Sequence, residues 1–511
     1  MFNKSFKIAL LNVMIGISFQ AMANQTEIKS ESTNIEVDLA TQQIEQQKRE
    51  EAARLEAEHL AEVQRLAEEK QRQAETKLAE LLQGKEQQLQ LKSAVAKIYS
   101  DNDYHNLWTN KLFEKAFLKE YAALVASGIS ARSAKSLALI DELSSGDVLQ
   151  YDIALTDAFL DYLYYTTNVI NSAQNWLYTT NNYKAITPAE FHVDQWVSAV
   201  KNNDVLSFWN QISATNLRYQ QTLDYLILHL FNEQQIEGES GKSSKKQKTK
   251  TDPMLEVYKL AVNVQRLRII PDFENGIFVN IPSYQLNYYR DGELVLNSRV
   301  IVGKNERRTP VMYSKLSNVV VNPPWNAPTR LINEDIIPKV KRDPSYLERN
   351  GYSIIDSRGN VVDPYSIDWT SIGAKFPYRL RQKAGDNSAL GRFKFNMPSS
   401  DAIYLHDTPN RGLFAKEGRA LSSGCVRVEK SDALATILLK ESGWTENRKQ
   451  KVLESQKTTS VNVSSDNPVY LYYVTAWAEN GKLHKLKDIY GYDSVKNLSF
   501  INWDLVKKYL R

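Results

Sequence analysis

The apolar residues of this chain change their period at Pro271. Before it they recur at helical spacing. After it they alternate, as in Ile277-Phe278-Val279-Asn280-Ile281 and Gln285-Leu286-Asn287-Tyr288-Tyr289. A helix brings every third or fourth side chain to one face and a strand every second, so the two patterns demand different folds. At 511 residues the chain is also too long for one small core. The expectation is an α+β multidomain protein, with a long N-terminal helix and a helical domain first and a mostly β domain after them.

In the second half, Asp291-Gly292 marks a hairpin turn whose return strand covers 295–302. Val319-Val320-Val321 and the runs 402–405 and 469–478 read as further strands, the last with its own Asn480-Gly481 turn. Ser431 reads as the N-cap of a helix over 431–440. A proline-punctuated insertion, about 323–385, interrupts the strands and is too apolar for disorder. The β-rich domain is thus expected over 254–495, opened by a helix that Pro271 closes. A C-terminal helix is expected over 496–511.

The first half has four parts. Lys4 and Lys7, the apolar run 8–19 and Ala21-Met22-Ala23 form a secretory signal over 1–23. Left uncleaved, that run would associate the chain with the inner membrane, although it is shorter than the roughly 20 residues a span needs. Within 24–92, the stretch from 44 to 91 is rich in Glu, Gln, Lys, Arg, Ala and Leu, lacks proline and holds one glycine, Gly84. These are strong helix formers. The thin apolar stripe Leu60, Val63, Ala67, Ala74, Leu78 and Leu81, interrupted by Lys70, suits a solvated stalk or loose coiled coil, and a protein partner could use it. Aromatics at helical spacing, among them Trp108, Phe113, Phe117, Phe159, Trp196 and Trp209, give 93–235 a compact helical core. A Lys/Ser-rich linker covers 236–253. Its Gly241-Lys242-Ser243 is no phosphate loop, since Ile236 stands where the first glycine is required. A net charge of +4, from 64 basic and 60 acidic side chains, gives no footprint for nucleic acid.

Cys425 is the only cysteine, and His406 the only histidine between His229 and His484. An exported chain with one cysteine has no internal disulfide, so the thiol is either an inert core residue or kept for chemistry. A free thiol is only a few per cent ionised near neutral pH, and a neighbouring imidazole can supply the base it lacks. Ser422-Ser423-Gly424 gives Cys425 a small-residue turn, and His406 follows strand-like residues. The strand-rich half has no His/Asp/Glu cluster with ligand spacing, so neither metal nor cofactor is expected.

His406, its spacer and Ser422-Ser423-Gly424-Cys425-Val426-Arg427 resemble the signature of the L,D-transpeptidase catalytic (YkuD-like) family. Asn322-Pro323-Pro324-Trp325-Asn326 and 339–351 resemble the lid of its large Gram-negative class. Residues 389–395, Tyr404-Leu405-His406-Asp407-Thr408-Pro409 and 488–493 are in keeping with it, and 94–231 is similar to its scaffold domain. The resemblance implies a periplasmic enzyme acting on peptidoglycan stem peptides. It would cleave the bond between the diamino acid and D-alanine of a tetrapeptide, pass through a thioester and form a 3→3 cross-link. Related outcomes on the same residues are lipoprotein attachment or release and D-amino-acid exchange. A silent wall-associated structural protein is the alternative from another class.

By motif position, Cys425 is the nucleophile, His406 the base, and Asp407 orients the imidazole through its carbonyl or its carboxylate. Backbone N–H groups around Ser423, Gly424 and Cys425 are candidates for an oxyanion site. Arg427, Tyr404 and Trp325 are candidates for substrate binding, with Arg427 either holding a carboxylate or fixing the loop. The class's small peptidoglycan-binding module has no counterpart in the sequence.

Overall fold

The computed structural model describes residues 31–179, 183–239, 253–373, 375–463, 466–494 and 498–511. The expected signal segment and most of the expected Lys/Ser-rich linker lie outside these residues. The chain divides into two units, residues 1–76 and 77–511. The described residues of the first lie in the helix Glu31–Leu82. Its Leu55, Leu60, Val63 and Leu66 are each about half exposed, and ion pairs such as Arg65–Glu62 at 2.8 Å dress its surface. The helix stops at Leu82, short of the expected 91. Gln83 (φ 52°) and Gly84 (φ 93°) turn left-handed there, which ends the hydrogen-bond ladder.

In the second unit, helices run from Lys92–Asp101 to Pro253–Arg268. Side-chain caps from Asn110, Ser130 and Asp147 start three of them. Trp108, Phe113, Phe117, Phe159 and Trp196 form the core of this part, with ring centroids as close as 4.7 Å. The helix Val148–Ala173 carries three buried carboxylates that tie down its neighbours. Asp152 accepts from the Leu107 and Trp108 amides, Asp157 from those of Gln90 and Leu91, and Asp161 from the Tyr121 and Ser133 hydroxyls. Fully buried Arg266 joins this part to the β domain, donating to Asp493 at 2.6 Å and to the Tyr492 carbonyl at 2.7 Å.

The strands are β1 Gly276–Asn280, β2 Gln285–Arg290, β3 Glu293–Gly303, β4 Met312–Lys315, β5 Asn318–Val321 and β6 Trp325–Asn326. Next come β7 Tyr352–Ile355, β8 Val361–Val362, β9 Arg379–Gln382, β10 Phe393–Asn396, β11 Leu405–His406 and β12 Ala420–Ser422. β13 Val426–Val428, β14 Thr459–Asn462, β15 Pro468–Tyr472, β16 Ala476–Glu479 and β17 Lys482–Lys485 complete the set among the described residues. Eleven of them form one sheet in the order β14-β5-β10-β11-β13-β3-β2-β1-β15-β4, with β12 beside β3. The expected single strand over 469–478 is two. β15 stays in the large sheet, and β16 leaves it to pair with β17.

The insertion builds its own sheet, β6-β9-β7-β8, around Ile332, Ile336, Ile337, Val340, Leu347, Ile354, Trp369, Phe376 and Leu380. It therefore holds itself together as a lid with a small apolar core. The helix Ser431–Glu441 is present, but Lys430 occupies the N-cap and Ser431 turns its hydroxyl elsewhere. The C-terminal helix is Trp503–Leu510, capped by Asn502.

Candidate active site

β11 and β13 run side by side in parallel, with Leu405 opposite Val426 and His406 opposite Arg427. β10 flanks β11 on its other edge, with Lys394 opposite His406. Residues in register share a face of the sheet, as do residues two apart on a strand. Phe393, Phe395, Leu405, Val426 and Val428 are buried on the core side. Lys394, Tyr404, His406, Cys425 and Arg427 consequently share the opposite face. The alternation that makes the core also assembles the site.

His406 is buried, and its Nδ1 lies 2.5 Å from the Asp407 carbonyl oxygen. A carbonyl only accepts, so Nδ1 carries the hydrogen and Nε2 keeps its lone pair for a proton. Burial, then the Arg427 cation, lowers the imidazole to about 3; Lys394 adds to this and the Asp407 carbonyl opposes it. Between the two orienting roles open to Asp407, the structure selects the carbonyl for the imidazole. The carboxylate anchors the backbone instead. It accepts from the Arg392 amide at 2.9 Å and the Ser431 hydroxyl at 2.8 Å, and pairs with Arg411 at 2.9 Å.

Cys425 is half-buried. Burial raises its thiol, while the Tyr404 amide and hydroxyl, Lys394 and Arg427 all pull it down. Burial raises the Tyr404 hydroxyl well above its ordinary range, with the Cys425 thiol adding to this and Trp325 opposing it. The Tyr404 hydroxyl thus feels both the first strand of the lid and the thiol. Arg427 makes no hydrogen bond to a loop carbonyl among the described residues, and its Nε is buried without a partner.

The turn before Cys425 is fixed from within. The Ser422 hydroxyl donates to the Cys425 carbonyl at 2.6 Å and accepts from the Gly424 amide at 3.1 Å. The Gly424 amide is thereby engaged, leaving the Ser423 and Cys425 amides as the oxyanion candidates of the three. Gly424 has φ 124°, and a Cβ there would meet Ile403 Cδ1 at 3.2 Å. Its role is conformational. Thr309 donates to the Gly424 carbonyl at 2.7 Å, and Tyr490 supports Thr309 and Gly303.

Sequence reasoning named Cys425, His406, Asp407, Tyr404, Arg427 and Trp325, and the structure brings these together. It passed over Lys394, although a lone cation between Phe393 and Phe395 was the available signal. It also passed over Arg307, which donates to Ser423 Oγ at 3.0 Å and pairs with Glu334 at 2.5 Å and with Asp335. No local pattern distinguishes that arginine.

A family model for the L,D-transpeptidase catalytic domain matches residues 274–452, and one for the Scaffold domain matches 93–226. A Haemophilus influenzae protein, provisionally named an L,D-transpeptidase, is 58% identical over 451 residues, 88% of each chain. Among solved structures, an L,D-transpeptidase from Mycobacterium smegmatis is similar at 12% identity. The match covers 39% of this chain and 58% of that one, with a TM-score of 0.19. L,D-transpeptidase 1 of Mycobacterium tuberculosis matches at 12% identity over 38% and 59%, with a TM-score of 0.15.

Proposed function

Because the chain belongs to the L,D-transpeptidase family, we propose that it forms 3→3 peptidoglycan cross-links through a thioester on Cys425. The observation that supports this most is the tautomer of His406, whose Nδ1–H is held by the Asp407 carbonyl and whose Nε2 is left as a base on the face that carries Cys425.

In the first half-reaction, His406 Nε2 takes the thiol proton. The sulfur then attacks the carbonyl of the diamino acid in a tetrapeptide donor. The oxyanion draws on the Ser423 and Cys425 amides. When the C–N bond breaks, D-alanine leaves with the proton from His406, and the thioester remains. In the second half-reaction, the side-chain amine of an acceptor stem gives a proton to His406 and attacks the thioester carbonyl. An amide forms, and the sulfur departs as thiolate and recovers the proton. Burial of the imidazole makes it return the proton readily, because the charged form is disfavoured.

The reading places the enzyme in the periplasm, on the strength of the basic–apolar–Ala-x-Ala leader pattern over 1–23. The test is mass analysis of muropeptides after incubation of purified protein with tetrapeptide-rich sacculi. Wild type should yield 3→3 dimers with release of D-alanine, and Cys425→Ala none. Dimers formed equally by the variant would sink the assignment.

A further inference from the structure

Two cations share the sheet face of the thiol, and neither has an acidic partner among the described residues. Lys394 Nζ lies 4.2 Å from the centroid of the Tyr404 ring, and no carboxylate pairs with it. Arg427 has a buried Nε with no hydrogen-bond partner. Buried cations elsewhere among the described residues have partners: Arg266 pairs with Asp493 at 2.6 Å, Arg268 with Glu120 and Lys449 with Asp432 at 3.1 Å, while Arg419 donates to the Val300, Lys416 and Tyr284 carbonyls. A cation taken out of water without a counter-ion costs free energy that an arriving anion recovers. Burial lowers the pKa of both Lys394 and Arg427, and only Cys425 opposes it.

The register places this pair on either side of the base. Lys394 stands opposite His406 on β10, and Arg427 opposite it on β13. An anion between them would lie next to the reacting carbonyl. We propose that Lys394, together with Arg427, receives a carboxylate of the donor stem peptide, which makes Lys394 a specificity-determining residue for an anionic donor. This rests on the reading of the chain as a transpeptidase of tetrapeptide stems. Two carboxylates of a donor whose diamino acid is also a diacid have the required chemistry, that of the leaving D-alanine beside the scissile bond and that at the end of the diamino acid's side chain. A carboxylate there also screens His406 from the two cations that oppose its protonation, so donor binding strengthens the base.

The test uses the full-length protein and follows thioester formation on Cys425 by intact mass in single turnovers. Three donors are compared: the tetrapeptide with both carboxylates, its D-alaninamide form, and the form amidated on the diamino acid. Wild type should favour the fully acidic donor by about ten- to hundredfold over one amidated form, which identifies the bound carboxylate. Lys394→Met should lower the acidic donor by a similar factor, chiefly through KM, and change that amidated donor far less. Lys394→Arg should restore most of the preference. Lys394→Gln serves the same purpose should the methionine variant not fold. Equal use of all three donors by wild type, or equal slowing of all three in the variant, overturns the proposal while leaving the transpeptidase reading intact. No thioester on wild type with any donor overturns both.

Discussion

Arg307 donates to the Ser423 hydroxyl at 3.0 Å, two residues before the thiol, and the same guanidinium holds Glu334 and Asp335 of the lid. A planar group with five donors can serve both at once, which a lysine cannot do in the same geometry. The lid carboxylates are half exposed, so Arg307→Ala should lower global stability by no more than about 1 kcal/mol. The effect should instead be local. Amide exchange over Ile332–Ile336 should quicken, and kcat/KM for donor acylation should fall by about tenfold. Alkylation of Cys425 by iodoacetamide, which needs no lid, should be unchanged. Exchange identical to wild type would show that the lid is held without this contact.

The pH dependence of acylation follows from the two shifts. Burial and two cations lower the His406 imidazole to about 3, and burial raises the Cys425 thiol from its ordinary value. The reactive protonation state, neutral thiol with neutral imidazole, then persists from mildly acid to alkaline pH. Single-turnover acylation by a donor should therefore be flat between about pH 5 and pH 8, with no limb near the usual histidine value of about 6.5. Alkylation by iodoacetamide, which consumes thiolate without a base, should rise with pH across the same range. An acylation limb near 6.5 would mean that His406 titrates as an ordinary exposed histidine.

Gly391 is the residue against which the Asp407 carboxylate is packed. A Cβ at Gly391 would lie 2.3 Å from Asp407 Oδ2, and its φ of 57° adds strain for any other residue. Gly391→Ala should displace Asp407 and, through its carbonyl, the imidazole. Asp407→Ala leaves the carbonyl in place but removes the acceptor of the Arg392 amide, the Ser431 hydroxyl and Arg411. It should cost on the order of 3 kcal/mol in urea unfolding, yet reduce acylation less than His406→Ala does. If Asp407→Ala and His406→Ala were equally inactive while folded, the carboxylate would have a direct part in the chemistry.

The proposed nucleophile and base were legible because their chemistry needs rare residue types in a recognisable order. Lys394 was not, because its role comes from register. It faces His406 only once β10 is paired with β11, and nothing local fixes that pairing. Arg307 was hidden for the same reason, being 116 residues from Ser423. Ser431 misled more directly. Its position suits an N-cap, but the buried Asp407 carboxylate captures the hydroxyl, a tertiary contact that outweighs the local one. The long helix was read correctly in kind. Its end was misplaced because a positive φ at Gln83 is not apparent from composition.

Asp157 supplies a stability prediction away from the active site. It is 1% exposed, accepts from the Gln90 and Leu91 amides at 3.0 and 2.8 Å, and so fixes the turn into the helical core. Burial raises its carboxyl to about 7, over the opposing pull of those two amides. The folded state therefore holds a proton between about pH 4 and pH 7 that the unfolded state has released. Stability from this group is gained as pH falls through about 7 and lost as pH rises through it. Asp157→Asn, which cannot ionise, removes the dependence. The stability of wild type relative to Asp157→Asn should fall as pH rises from about 5 to 7, at up to about 1.4 kcal/mol per pH unit, and level off above that. Urea unfolding of both proteins across this range measures it. A difference that does not change with pH would mean that Asp157 is ionised throughout, with the two amides outweighing its burial.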